Sequence, residues 1–93
     1  MAKQVRLEVV TPDRLVLSEE VDLVVAPGVE GEFGVLPGQS QFLSALKEGI
    51  VSYHIGDNVQ KIPVISGVAE VTATKVTILV DDLREEEDLP SQN

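Results

Sequence analysis

The sequence contains no cysteine and no tryptophan, only three aromatic residues, and seven basic residues against sixteen acidic ones. Each shortage closes off some chemistry. Without cysteine there are no disulfides, thiolate nucleophiles or zinc–thiolate sites, which is compatible with a reducing compartment. Phe33, Phe42 and Tyr53 are too few aromatics for a base-stacking platform. The net charge is −9, with no basic stripe to follow a phosphate backbone, so nucleic acid is not an expected partner. An acidic body also disfavours docking on, or inserting into, anionic lipid. No window approaches 18 apolar residues, and the opening Met-Ala-Lys-Gln-Val-Arg has no apolar signal core. The chain is therefore expected neither to span a membrane nor to follow that secretion route.

What is present fits one small domain. Ninety-three residues with 43% hydrophobic content can form a single core, although a chain this size buries only about 60–65% of its unfolded surface. The periodicity is that of strands. Val5, Leu7 and Val9 alternate with Gln4, Arg6 and Glu8, the two-residue period of a half-buried strand. Thr11-Pro12-Asp13 signals a turn, and Leu15 and Leu17 resume the alternation. Val21 to Ala26 is nearly all apolar, as in a strand crossing the core. Residues 41–47 are ambiguous, because Phe42, Leu43 and Leu46 also fit one turn of helix. Val51, Tyr53 and Ile55 alternate again, and Gly56-Asp57-Asn58 marks a tight hairpin. Pro63 cannot donate to a ladder, so the strand from Val59 to Ile65 is expected to be an edge strand or a bulged one. Val68 to Thr72 and Val76 to Val80 form a last hairpin. Eight to ten short strands with Gly/Pro turns predict an all-β antiparallel sandwich or flattened barrel over residues 1–82. The acids at 81, 82 and 85–88 then outweigh Arg84, and residues 83–93 read as an acidic, disordered tail or as the start of a further C-terminal region.

The stretch Ala26 to Ser40, APGVEGEFGVLPGQS, carries four glycines, two prolines, Glu30 and Glu32. It reads as a long, stiffened loop. A phosphate cradle would need Gly-Lys-Ser/Thr, and this stretch has no lysine or arginine. The dinucleotide fingerprint is missing, as is the βαβ unit that would hold it. Glu30 and Glu32 have no histidine, lysine or tyrosine beside them in sequence to make an acid/base set, and the spacing is not that of a calcium loop. His54 is the only histidine and has no ligand cluster. Ser40, Ser44 and Ser66 lack a nucleophile elbow. No catalytic residues, metal site, nucleotide site or cofactor are expected. A binding surface remains: two prolines lower the ordering cost of association, the glutamates offer charge to a basic partner, and Phe33 either anchors a partner or tucks into the core with Val35 and Leu36.

This stretch resembles the signature loop of the epsilon subunit of F-type rotary ATP synthases, a small-residue turn followed by E-G-E-x-G and P-G-H. The rest of the chain agrees in order and spacing. VTPDRLVLSEEVDLVVAPG is similar to the family's opening strands, Leu46-Lys47-Glu48-Gly49 to its L-K-x-G turn, Ser66 to Val71 to its G-G-x-x-E-V hairpin, and Val76 to Leu79 to its V-T-x-L strand. The resemblance covers residues 4–82. It implies a flattened β-sandwich of about ten strands at the foot of the central stalk. Such a subunit is non-catalytic, turns with the rotor, and joins the gamma subunit to the membrane c-ring during ATP synthesis. Its place would be the cytoplasmic face of a bacterial plasma membrane, or the stromal face of the thylakoid.

The resemblance also implies site residues. The second glutamate of E-G-E-x-G faces a basic loop of the c-ring in the family, a role that maps onto Glu32, framed by Glu30, Gly31 and Phe33. Gln39, Ser40, Phe42 and Thr11 would border gamma. Two departures stand out. Gln39 replaces the family histidine and cannot take up a proton near neutrality. The family's D-x-x-R-A segment has no match near Asp88, and the two C-terminal helices that can inhibit ATP hydrolysis would lie beyond Asn93. Neither ATP binding nor helix-mediated inhibition is therefore expected of this chain. The residues alone leave a second hypothesis, a stand-alone acidic β-sandwich acting as an adaptor, or a small enzyme with an unrecognised site.

Overall fold

In the computed structural model, residues 4–81 are described. They form nine strands: β1 (Val5–Val10), β2 (Leu15–Val21), β3 (Leu23–Gly28), β4 (Gly31–Val35), β5 (Phe42–Leu46), β6 (Gly49–Ile55), β7 (Asn58–Val64), β8 (Gly67–Val71) and β9 (Lys75–Leu79). The tail expected over 83–93 lies outside the described residues.

The two-residue period translates directly into burial. In β1, Val5, Leu7 and Val9 are buried while Arg6, Glu8 and Val10 are half-buried. β9 repeats the pattern with Val76 and Ile78. Hydrogen bonding runs in the order β2-β1-β9-β8-β5-β3-β6-β7, with β4 added to β3. The sheet folds over at its weakest point, where β5 meets β3 through the single register pair Gly28–Leu46. One layer is then β2-β1-β9-β8-β5 and the other β4-β3-β6-β7. Between them lies the core: the three β1 residues, Val76 and Ile78 from one side, Val24, Ala26, Val35, Val51, Tyr53 and Val64 from the other. Among the described residues, all strand pairings are antiparallel except β1 with β9, which run parallel.

Three local expectations resolve. Residues 42–46 are a strand, because Phe42 to Leu46 pair residue by residue with β8. The apolar run 21–26 is not one strand: it breaks at Asp22, whose carboxylate accepts the Gly56 N–H (2.7 Å) and the Gln4 side-chain amide (3.2 Å). That fastens the bend to the β6–β7 hairpin. Pro63 lies in β7, the last strand of the sheet order, the kind of edge position where proline is tolerated.

The long loop expected at 26–40 is mostly strand. Pro27 and Gly28 end β3, Val29 and Glu30 make a two-residue turn, and β4 runs back from Gly31 along β3. Alternation is hidden there by glycine at 31 and 34, which fill strand positions without an apolar side chain to reveal the period. Gly31 has φ = +134°, a backbone conformation that favours glycine. Only residues 36–41 remain as loop, held to the β8–β9 turn by the Gly38 N–H donating to the Ala73 carbonyl (2.9 Å).

Candidate functional site

The β3–β4 hairpin tip is pinned on β5. The Val29 N–H donates to the Ala45 carbonyl and the Lys47 N–H to the Pro27 carbonyl, both at 2.9 Å. Beneath the tip, Phe33 and Phe42 meet edge to face, with ring centroids 5.4 Å apart and planes at 77°. Such aromatic pairs contribute about 0.5–1.5 kcal/mol beyond burial. Phe33 is opposite Ala26 in the ladder, so it points inward and packs against the core. Of the two roles open to it, the inward one is observed. Val35 is fully buried with it, while Leu36 is exposed.

Between the tip and β5 lies a groove of about 500 Å³. Val29 to Phe33 form one wall and Phe42 to Ala45 the other. Glu30 and Glu32 are exposed, and among the described residues neither has an ion-pair or hydrogen-bond partner. Elsewhere the carboxylates Glu20 and Glu8 are engaged, by Arg6 (2.6 Å) and Lys75 (3.6 Å). The hairpin therefore presents two negative charges without side-chain partners among the described residues, beside a groove whose lining includes Phe33 and Phe42. No group of three or more His, Cys, Asp or Glu residues suited to a metal occurs among the described residues.

Glu30, Gly31, Glu32 and Phe33 are thus brought together, and the fold adds Phe42 to them. Leu43 and Val29 also belong to the groove, both well exposed. Leu43 was legible in one respect: in a strand, adjacent apolar residues such as Phe42 and Leu43 cannot both face inward. The other expected contact residues are spread out. Gln39 and Ser40 flank the β8–β9 turn, where β9 begins. Thr11 follows β1, which runs parallel to β9, so it stands at the opposite end of that layer. Five residues at ~3.3 Å per residue separate the two ends by about 15 Å.

Thr11 adjoins a different feature. On the outer face of the first layer, register neighbours Ala45, Val68, Leu79, Val10 and Leu15 form an apolar row across five strands. Leu15, Val68 and Leu79 are exposed.

Comparison with known proteins follows the same lines. The family described as "ATP synthase, Delta/Epsilon chain, beta-sandwich domain" matches residues 4–86. Over 89 residues the chain is 53% identical to the ATP synthase epsilon chain of Nitratidesulfovibrio vulgaris (strain DSM 19637 / Miyazaki F), covering 96% of this chain and 66% of that one. Over 79 residues it is 54% identical to the ATP synthase epsilon chain of Syntrophobacter fumaroxidans, covering 85% of this chain and 59% of that one. The chain therefore spans about two-thirds or less of these relatives. Its fold is similar to a chain in the Euglena gracilis mitochondrial ATP synthase structure containing OSCP, F1 and the c-ring, with a TM-score of 0.83 at 25% identity, over 99% of this chain and 62% of that one.

Proposed function

The chain belongs to the family of ATP synthase delta/epsilon-chain β-sandwich domains, and from that premise we propose that it is a non-catalytic subunit of the central stalk, the rotor of proton-translocating ATP synthase. It works by packing. One surface grips the membrane c-ring and another grips the gamma subunit, so that rotation of the ring becomes torque on the stalk. The observation that carries this reading is the 53% identity to an epsilon chain over 96% of the sequence. The relatives being bacterial, the place proposed is the cytoplasmic face of a bacterial plasma membrane.

The hairpin is the ring contact in this reading. Glu32 carries the charge-assisted contact to a basic loop, Glu30 and Gly31 shape the tip, and Phe33 holds it down. Gamma is met by Gln39, Ser40 and Thr11. Because these stand at opposite ends of one layer, a partner touching them all covers the outer sheet face, including the apolar row. Phe42 supports the hairpin and serves gamma only at its exposed rim.

The test is Glu32→Lys. A charge-assisted contact is worth about 0.5–3 kcal/mol, depending on how dry the interface is. Glu32→Lys is expected to weaken c-ring attachment by that amount and leave the isolated fold intact by circular dichroism. Unchanged attachment would mean that Glu32 is not the contact.

A further inference from the structure

The sheet order begins at β2 and ends at β7, so among the described residues each has one edge with no strand beside it. An open edge offers its unpaired N–H and C=O groups to another chain. In β7, Pro63 removes a donor from the strand. β2 contains no proline, and its register shows a different defence. Leu17, Glu19 and Val21 stand opposite Val9, Leu7 and Val5, which are fully buried, and residues directly opposite share one face of a sheet. Leu17 packs against the core and Val21 is part of it. Glu19, between them, is exposed and makes no ion pair or hydrogen bond among the described residues. Its charge reaches across the layers: after burial, it is what raises the phenol of Tyr53 on β6. Ser18 and Glu20 lie on the outer face, where Arg6 holds both, at 3.0 and 2.6 Å.

We infer that Glu19 keeps the β2 edge from pairing with the β2 edge of a second copy. Pairing of two such edges about a two-fold axis would make two sandwiches share one layer, with the inward side chains of each β2 covered by those of the other. Leu17 and Val21 would gain from that cover. Glu19 would lose its water without gaining a partner, which strongly disfavours burying a carboxylate. The register slips at Val16, so the regular edge runs from Leu17 to Val21 with Glu19 at its centre. Symmetric pairing over that span sets the two Glu19 side chains opposite each other, and like charges directly opposite are destabilising.

The test measures mass by light scattering over a concentration series. The unaltered chain is expected to be a monomer. Glu19→Val completes the apolar inner row and is expected to double the mass and stop there, because a symmetric pair uses up the edge of both copies. Amide exchange is expected to slow in β2 of that dimer. Glu19→Gln removes the charge while keeping the shape, so the test does not depend on how the valine variant folds; it is expected to dimerise more weakly. Glu20→Val makes the same chemical change on the outer face and is expected to stay a monomer, as is Glu19→Lys, which keeps a charge inside. No dimer from either neutral Glu19 variant, a dimer from Glu20→Val or Glu19→Lys, a dimer without added protection in β2, or pairing of the unaltered chain through β2 would each overturn the inference.

Discussion

Gly28 and Gly34 show how far a single methyl group can reach in the hairpin. A Cβ on Gly28 would lie 2.8 Å from the Gly31 carbonyl oxygen as well as against Phe33, whereas one on Gly34 meets nothing closer than 3.5 Å. Gly28→Ala is thus expected to cost about 1–3 kcal/mol, as overpacking does, and to shift the amide resonances of the hairpin tip. Gly34→Ala should stay within about 0.5 kcal/mol. Urea unfolding of the two variants checks the contrast, and equal costs would mean that the tip is not packed as described. Tyr53 gives a second residue-scale expectation. Burial, and after it the nearby Glu19 carboxylate, raise its phenol above the ordinary value of 10.0. A group whose folded pKa is raised holds its stabilising share below the unfolded value and loses it as pH rises toward the folded one. Stability should therefore fall above about pH 10, and Tyr53→Phe should flatten that fall in urea unfolding compared at neutral and alkaline pH.

At the scale of elements, the strands with intact alternation were readable and those without it were not. Val5 to Val9 and Val76 to Ile78 announce themselves, because each inward position carries a β-branched or leucine side chain. β4 was hidden because two of its five positions are glycine. β5 was ambiguous because Phe42 and Leu43 sit side by side, the first turned toward Phe33 and the second outward. The parallel pairing of β1 with β9 has no local signal at all, since it joins the two ends of the described chain. The β8–β9 pairing beside it leans on Gly67. A Cβ there would collide with the Leu79 carbonyl and approach a Val80 methyl at 2.8 Å. Gly67→Ala is expected to force β8 and β9 apart at a cost of about 1–3 kcal/mol, with early loss of amide protection in β9 by hydrogen exchange. Unchanged protection would mean that the two strands accommodate the methyl group.

For the whole molecule, the composition and the motifs pointed the same way. The shortage of bases and aromatics made nucleic acid an unexpected partner, and the want of a recognisable catalytic constellation turned attention to surface. The glutamates of the hairpin were visible in sequence, but the rest of the groove was not: Phe42, Leu43 and Ala45 come from a strand ten or more residues away, and only the fold at Gly28–Leu46 brings them beside the tip. Thr11 and Gln39 likewise read as one contact set until the parallel β1–β9 pair separates them. Two surfaces result, an acidic aromatic groove at one edge and an apolar row across the outer sheet. A part that joins two partners needs two such faces.

The most direct measurement is capture. The tagged chain is incubated at low ionic strength, where contacts between charged surfaces are least screened, with the gamma subunit and with purified c-ring of a bacterial ATP synthase. The account predicts that the chain retains both, with the c-ring lost first as salt is raised because its contact is the charged one. Retention of neither would contradict it.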